Sequence, residues 1–282
     1  MSNSLENKIH LRAKDSLVSN EEFEIIATKI EGLLKTSPTP SEDKIGNYYQ
    51  SENYISHTDS TKTFIDKLYQ IIKSYSLKRK NKLFKKYNPT AKTLLDIGSG
   101  TGDLIFYCNK YFDCYGTEPN KNARELSLKK GNKVVEKIKE LPVKKFDIIS
   151  MWHVLEHVHD LEIQLKKIHE MLNENGIAII AVPNYKSYDA EYYKEAWAAY
   201  DVPRHIWHFN KHSMKTILKE NNLFVVKILP LIFDSFYVSM LSEKIKTGNT
   251  NFIKALRIGL KSNLKAKSTG EYSSLIYIAK KQ

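Results

Sequence analysis

The chain of 282 residues has only two cysteines, Cys108 and Cys114, and no long apolar segment. Two thiols cannot build a disulfide scaffold, and they indicate a reducing, cytoplasmic setting. Apolar runs such as 228–233 reach only six residues, whereas a membrane-spanning helix needs about 20. The first residues, MSNSLENKIH, lack the basic and then apolar pattern of a secretory signal. With 41% hydrophobic and 27% charged residues, the composition excludes general disorder and predicts a globular protein.

Positive charge is unevenly spread along the chain. The formal net charge is +12, yet residues 1–59 carry six Lys and Arg against ten Asp and Glu. Two stretches, 73–86 and 241–270, hold seven cations each, with Glu243 as their one acid. Such stretches fit nucleic acid, anionic lipid or an acidic substrate, and equally a solvated helix face. The charge alone therefore selects no partner.

Short apolar runs alternate with amphipathic segments from residue 92 onward, after a helical spacing over 61–87 that Asn88-Pro89 ends. The alternation predicts an α/β fold, a doubly wound and mostly parallel seven-stranded sheet of Rossmann-like type. Its helices are predicted near 103–111, 120–131 and 160–173. Its strands are predicted at 93–97, 114–117, 133–135, 146–150, 177–182, 224–228 and 273–279.

The prolines at 38 and 40 separate an N-terminal part from this pattern. We predict a helical N-terminal appendage or cap over residues 1–59 and a main domain over 60–282. Helical insertions are expected in the main domain at about 185–210 and 235–270.

The sharpest local motif is Gly98-Ser99-Gly100-Thr101-Gly102, which follows the first strand of the predicted sheet and opens a helix. Glycines there let the backbone approach a ligand, and the free N–H groups of the helix start face polar or anionic atoms. A dinucleotide fingerprint reads G-x-G-x-x-G, but Asp103 occupies its last position here. The motif thus disfavours a nicotinamide cofactor, and taken alone it also fits a tight turn that serves packing only.

Glu118 ends the second strand of this sheet, sixteen residues beyond Gly102. An acid at that place can accept hydrogen bonds from both ribose hydroxyls of a nucleoside that lies across the strand tips. The glycine turn and this acid together resemble the class I S-adenosylmethionine-dependent methyltransferases, over about 92–183. The similarity continues through 146–160 and a Gly-x-Ala-x-x-x-x-Pro-Asn run that ends at Asn184. These segments look like motifs of ubiquinone-biosynthesis-like small-molecule methyltransferases.

The resemblance implies that S-adenosylmethionine binds with its methionine portion at the glycine turn, its ribose at Glu118, and its sulfonium beside Trp152 or His153. Residues 136–142 are short and lysine-bearing where relatives often place an acid, so no side chain is assigned to the adenine. The expected cofactor-binding residues are Asp96, Gly98, Ser99, Gly100, Thr101, Gly102, Glu118, Pro119 and Trp152.

The N-terminal part resembles the lead-in of methyltransferases that carry a small zinc module, through residues 14–19, 38–41, 48–49 and 54–57. Those relatives use Cys-x-x-Cys pairs as metal ligands, and no cysteine precedes Cys108 here. The resemblance implies a metal-free remnant, which we expect to pack over the cofactor as a cap. The simpler alternative is a loosely attached tail.

Six of the nine histidines fall in two groups, one at the end of the fourth strand and one after the fifth. We predict His153 and His205 as candidate general bases, because a pKa near ~6.5 suits that role at neutral pH. Arg204-His205 resembles a stretch that borders the acceptor site in relatives, which implies that Arg204 orients the acceptor. Eight aromatic residues between 184 and 209 predict a flat apolar acceptor, an aromatic lid or a packed core.

The segment His153-x-x-Glu156-His157 also fits the H-x-x-E-H template of inverted zinc peptidases. That template requires a continuous helix, whereas this segment directly follows a predicted strand. No third ligand lies at a useful spacing, so we predict no metal site.

Together these features predict methyl transfer from S-adenosylmethionine to an oxygen of a small aromatic or lipid-like acceptor. The charge leaves an RNA or protein methyltransferase as an alternative, although we find no RNA-binding module and no Asn-Pro-Pro-Tyr motif. A cofactor-binding protein without transferase activity is a further alternative. The amphipathic segment 252–261 is expected to form a lid or dimer contact, with peripheral membrane contact as the other option.

Overall fold

The computed structural model describes residues 6–49 and 64–281. The strands are β1 (Ile9–Lys14), β2 (Glu22–Ala27), β3 (Leu34–Ser37), β4 (Thr93–Ile97), β5 (Asp113–Thr117), β6 (Val134–Val135), β7 (Phe146–Trp152), β8 (Leu172–Pro183), β9 (Trp207–His208), β10 (Leu223–Pro230) and β11 (Ser274–Lys281). The helices are α1 (Phe64–Tyr87), α2 (Asp103–Cys108), α3 (Lys121–Lys129), α4 (Leu161–Met171), α5 (Tyr188–Tyr193), α6 (Lys211–Glu220), α7 (Asp234–Thr247) and α8 (Phe252–Thr269).

The larger sheet contains the seven predicted strands, in the order β10-β11-β8-β7-β4-β5-β6. Strands β4 to β8 run parallel, while β11 pairs antiparallel with both β8 and β10. The central strands are buried along almost their whole length, as expected for a parallel sheet that is covered on both faces. The predicted fold class is confirmed, and its strand order reverses beside β4, where such sheets bind ligands.

Local signals fix where the covering helices begin. The side chain of Asn120 accepts a hydrogen bond from the Ala123 N–H at 3.0 Å, which caps α3. Asp160 caps α4 in the same way through the Ile163 N–H at 2.8 Å. Both caps lie just beyond the carboxyl ends of strands, so they also set the loops that border the site.

The N-terminal part is a sheet, and the prediction of a helical appendage is therefore wrong. Strands β1, β2 and β3 form an antiparallel meander that continues into β9. In β2 the buried Phe23 and Ile25 alternate with Glu22 and Glu24, which is the period of a strand. These strands are short, and their last partner, β9, lies some 170 residues further along the chain. The local sequence therefore gave little indication that this region forms a sheet. The predicted boundary at residue 59 and the segment 54–57 lie outside the described residues.

Several aromatic residues after β8 pack as core between the N-terminal strands and the α7–α8 helices. Tyr193, Trp197 and Tyr200 are all buried, and they share one cluster with the inner residues of β2. The carboxylate of Asp189 accepts a hydrogen bond from Trp197 Nε1 at 2.8 Å. These three rings therefore stabilise the fold, and the expectation of an aromatic acceptor surface does not apply to them.

The later insertion is a hairpin of α7 and α8. Gly248, with φ of 78°, ends α7 in the left-handed conformation that favours glycine. The hairpin packs beside α5, and Asp234 at the beginning of α7 lies 2.8 Å from His153. Within residues 6–49 and 64–281, no helix is long and apolar enough to cross a membrane.

Candidate active site

A cavity of about 1370 Å³ opens at the carboxyl ends of β4, β5 and β7. Its walls include residues from the glycine turn, from the end of β5 and from the loop after β7. The N-terminal part contributes Glu42, Ile45, Gly46 and Tyr49. Ligand pockets usually measure about 300–1,000 Å³, so this cavity has room for a cofactor together with an acceptor.

The glycine turn is shaped by close contact on one side and open space on the other. Gly98 has φ of +69°, and a Cβ there would lie 2.4 Å from Val154 Cγ2. Gly100 has φ of +54°, and a Cβ there would meet no described atom within 4 Å. Both positions favour glycine because their φ angles are positive. Gly98 also allows the loop after β7 to pack closely, and Gly100 leaves its backbone open to a ligand.

Glu118 stands at the tip of β5 and faces the glycine turn. Its Oε2 accepts a hydrogen bond from the Gly100 N–H and its Oε1 accepts one from the Asn120 N–H, both at 2.8 Å. The carboxylate is thus fixed with its oxygens between two loops of the cavity wall. This arrangement fits the ribose of a nucleoside, which offers two neighbouring hydroxyl donors.

Beyond Glu118 the cavity is bordered by Glu136 and Ile138, on the loop after β6. Arg124 fixes this loop, because its Nη2 donates to Glu136 Oε2 at 3.0 Å while its Nη1 donates to the Glu118 carbonyl at 2.6 Å. Sequence reasoning assigned no side chain here, and these three residues carried no recognisable pattern.

The expected cofactor-binding residues divide into two sets. Gly98, Gly100, Thr101, Glu118 and Pro119 line the cavity. The others lie around it and support it, namely Asp96, Ser99, Gly102 and Trp152.

Asp96 and Trp152 illustrate this supporting position. Asp96 is buried at the end of β4, accepts a hydrogen bond from Ser150 Oγ at 2.6 Å, and has its pKa raised to about 6 by burial. The Trp152 ring packs toward α1, where the Lys80 ammonium lies 4.0 Å from the ring centroid. Neither side chain reaches the cavity wall as described.

His153 lines the cavity directly after β7, in a left-handed conformation with φ of 57°. Its Nε2 lies 2.8 Å from Asp234 Oδ2, and its Nδ1 lies 3.3 Å from Glu156 Oε1. Burial by itself lowers the pKa of His153, but the charges and hydrogen bonds of Asp234 and Glu156 outweigh it and raise the pKa to about 10. The side chain is therefore a cation at neutral pH.

His157 also lines the cavity, four residues further on, but it is neutral. Burial and the nearby His205 lower its pKa to about 4. Its Nδ1 lies 3.0 Å from the Arg204 carbonyl oxygen and 3.1 Å from the Tyr49 hydroxyl. A carbonyl oxygen can only accept, so we assign the proton to Nδ1 and the lone pair to Nε2.

His205 lies behind His157. The two rings meet edge to face with centroids 4.6 Å apart, and His205 Nδ1 donates to the Ala199 carbonyl at 2.8 Å. One ligand atom each of Glu156, His157 and His205 lie within 4.8 Å of one another. Within the described residues these three side chains are the group that could hold a metal ion, and His205 is a third possible ligand that the spacing of the sequence did not reveal. Burial opposes the charged form of Glu156, but His153 keeps the pKa of its carboxyl low.

Arg204 points away from the cavity into a buried ion cluster. Its Nη2 donates to Asp15 Oδ1 at 2.9 Å and to Asp201 Oδ1 at 2.7 Å, and its Nη1 donates to the Tyr48 carbonyl at 2.8 Å. The Asp15 carboxylate also accepts hydrogen bonds from the N–H groups of residues 17–19. Arg204 thus fastens the N-terminal sheet to the insertion after β8.

The H-x-x-E-H segment does not form the helix that a zinc peptidase needs. His153 follows β7 directly, and residues Leu155–His157 form a single 3-10 turn. The sequence pattern indicated this histidine group but gave no sign that Tyr49 and Asp234 contact it. Both residues come from distant parts of the chain, and the pair Tyr48-Tyr49 was recognised only as part of the N-terminal resemblance.

The comparisons with known proteins agree with this geometry. A family model described as a methyltransferase domain matches residues 69–228. The ubiquinone biosynthesis O-methyltransferase of Pelagibacter ubique (strain HTCC1062) is 31% identical over 209 residues, which cover 65% of this chain and 82% of that protein.

Solved structures show the same fold at low identity. Magnesium protoporphyrin IX methyltransferase from Synechocystis PCC 6803, with bound S-adenosylhomocysteine, is 13% identical with a TM-score of 0.56, and 86% of this chain and 100% of that chain are covered. A methyltransferase from Thermotoga maritima, described as a possible histamine N-methyltransferase, is 17% identical with a TM-score of 0.51, at coverages of 76% and 96%. Because the family match spans more than half of its length, the chain belongs to the methyltransferase-domain family and is a class I S-adenosylmethionine-dependent methyltransferase.

Proposed function

We propose that the protein transfers the methyl group to an oxygen of a small aromatic or lipid-like acceptor, with His157 as general base. The observation that carries this proposal is a neutral histidine, His157, beside a histidine cation, His153, on the wall of one cavity. The printed name of the Pelagibacter relative, an O-methyltransferase, supports transfer to oxygen.

When bound, S-adenosylmethionine supplies a methyl group on a positively charged sulfur. The glycine turn and Glu118 hold the methionine and ribose portions, and this orientation can supply roughly 7–11 kcal/mol of the barrier. The Nε2 lone pair of His157 takes the proton of the acceptor hydroxyl, a contribution of about 10²–10⁴-fold. His157 Nδ1 keeps its own proton and donates a hydrogen bond to the Arg204 carbonyl, which fixes the tautomer.

His153 takes a different part in this proposal from the one expected from sequence. As a cation, it is a poor base, but it attracts the acceptor oxygen as negative charge develops there. Asp234 and Glu156 hold its ring in place. His205 and Arg204 act as positioning residues rather than facing the cavity. His205 contacts His157 through its ring, and Arg204 contacts it through its backbone carbonyl.

The test is a methyl-transfer assay with labelled S-adenosylmethionine and a panel of phenols, catechols and prenylated phenols, in which the methylated atom is identified by NMR. Total RNA and a protein extract serve as rival acceptors. We expect an O-methylated small product, and His157→Gln should lower kcat by about 10²–10⁴-fold with S-adenosylhomocysteine affinity unchanged.

The matched control for this variant is His159→Gln, because His159 lines the same cavity and its Nε2 contacts the Pro40 carbonyl at 2.9 Å. This control should keep most of the activity. Transfer only to RNA or protein, or full turnover by His157→Gln, would overturn the proposal.

A further inference from the structure

The α7–α8 hairpin, residues 234–269, has an inner face of small side chains. In α8 that face includes Ala255, Gly259, Ser262 and Ala266, all of which are buried. A Cβ on Gly259 would lie 2.7 Å from Phe236 Cδ1 and 3.0 Å from the Ser235 carbonyl oxygen. The two helices therefore pack closely where Gly259 makes room for Phe236, and many of the hairpin's large apolar residues take no part in this contact.

Those large apolar residues lie on the outside instead. Phe252 and Ile253 in α8 are 65% and 75% exposed, and a row of exposed leucines follows them at intervals of four residues. A second exposed row runs along α7 with the same spacing. Protein surfaces seldom expose so many large apolar side chains together unless they bind a partner. The exposed residues are Phe252, Ile253, Leu256, Leu260 and Leu264 in α8, and Phe233, Tyr237, Leu241 and Ile245 in and before α7.

Positive charge lies directly beside the leucine row. Arg257, Lys261 and Lys265 each follow one of the leucines and form a parallel exposed row. The two acids of the hairpin are both engaged, since Glu243 is buried with Lys254 at 3.1 Å and Asp234 contacts His153. The surface of the hairpin is therefore apolar and positive.

We infer that this hairpin surface binds an anionic lipid bilayer from one side. A helix that lies in the membrane interface has Leu, Ile and Phe on one face and Lys and Arg on another, and α8 has both. Lipid headgroups supply the negative charge that the hairpin lacks, and acyl chains accept the apolar rows. A second copy of the chain fits this surface less well, because a two-fold contact would bring the exposed cations of the hairpin close to their symmetry mates. These cations are Lys244, Lys246, Arg257, Lys261, Lys265 and Lys267.

The bilayer-binding surface adjoins the cavity. Asp234, the first residue of α7, contacts His153 on the cavity wall at 2.8 Å. Binding would thus place the cavity near the headgroups, where an amphipathic acceptor would reach it without leaving the membrane. The lipid-binding inference does not depend on the identity of the acceptor, and its test needs no enzymatic activity.

The experiment is vesicle flotation of the full chain with phosphatidylcholine alone and with phosphatidylcholine containing about one third phosphatidylglycerol, at low and high salt. We expect binding to the anionic vesicles that weakens with salt. The variant Arg257→Gln, Lys261→Gln, Lys265→Gln should bind on the order of 100-fold more weakly, because each cation near the surface contributes about a factor of five. The variant Leu256→Ser, Leu260→Ser, Leu264→Ser should also lose binding.

The matched control is Lys78→Gln, Lys82→Gln, Lys86→Gln, which removes three exposed cations with the same spacing from α1. It should bind like the unaltered chain, and circular dichroism melting should show that all three variants remain folded. The inference is overturned if anionic vesicles do not bind, if the control loses as much binding as the α8 variants, or if light scattering shows a dimer that the leucine variant dissociates.

Discussion

Two cations in this protein each lie between two carboxylates, and they differ in their access to water. Arg204 is 1% exposed and lies between Asp15 and Asp201. The side chain of His153 is 37% exposed and lies between Glu156 and Asp234. The first cluster connects the N-terminal sheet to the insertion after β8, whereas the second lines the cavity.

The difference shows that one ionic cluster is closed off from ligands while a similar one is open to them. A guanidinium does not release its proton in proteins, and Asp201 and Asp15 raise the pKa of Arg204 further although burial opposes them. A buried cation of this kind can only hold segments together. An imidazole at a cavity wall can change its charge and contact a ligand, so His153 is the member of the pair that can take part in a reaction.

The largest effect should come from the enclosed cluster. Arg204→Leu leaves Asp15 as a buried charge without its partner, and it removes a donor from the Tyr48 carbonyl. We expect the free energy of unfolding to fall by about 3–5 kcal/mol, as for other buried pairs that lose one member. Urea unfolding at neutral pH measures this loss.

The matched control for Arg204 is Arg12→Leu in the same N-terminal sheet. Arg12 pairs with Glu24 at 2.8 Å, but its side chain is 58% exposed, so the loss of stability should be much smaller than for Arg204→Leu. Equal losses in the two variants would mean that Arg204 does not fasten the sheet as we describe.

The sequence predicted the elements near the site well, because each has a local signal. The apolar runs that became β4, β5 and β7 and the glycine turn beside Glu118 follow from period and composition. In contrast, the partner of Arg204 is Asp15, 189 residues away, and the partner of His153 is Asp234 in a separate insertion. No periodicity encodes such pairs, so Arg204 was expected at the acceptor and His153 was expected to be a base.

The N-terminal sheet was missed for a related reason. Its three strands contain four to six residues each, and they complete their core only with Tyr193, Trp197 and Tyr200 from the insertion. The cap role of this region remains a prediction, supported by Tyr49 at the cavity wall.

The second cluster should affect turnover more than stability. His153→Gln is expected to lower kcat/KM by at least about tenfold, because it removes the positive charge from the cavity wall, and a charge-stabilising group of this kind is typically worth that or more. Asp234→Asn should have a similar effect, and the double variant should add little, since the two side chains act as one unit. Steady-state kinetics on the three variants form the mutant cycle. If the two losses were simply additive, the ion pair would not be a functional unit.

The smallest effect, and the sharpest distinction between the two clusters, lies in the dependence of stability on pH. His153 has a pKa raised from 6.5 to about 10 in the folded protein, so its stabilising effect is fully present below about pH 6.5 and is lost as pH rises through about 10. The pKa of Asp15 is lowered, because Arg204 and the backbone N–H groups outweigh its burial. The stabilising effect of Asp15 is therefore present above its unfolded pKa of 3.8 and is lost only as pH falls below that value.

Urea unfolding at about pH 6 and about pH 9.5 measures this contrast. The stability difference between the unaltered chain and His153→Gln should shrink at the higher pH. The change should be on the order of 1 kcal/mol or less, because solvent screens this partly exposed pair. The loss caused by Arg204→Leu should stay constant over the same range, since neither Arg204 nor Asp15 titrates there. A His153→Gln difference that did not change with pH would show that His153 is not held as a cation, and the contrast between the two clusters would then rest on burial alone.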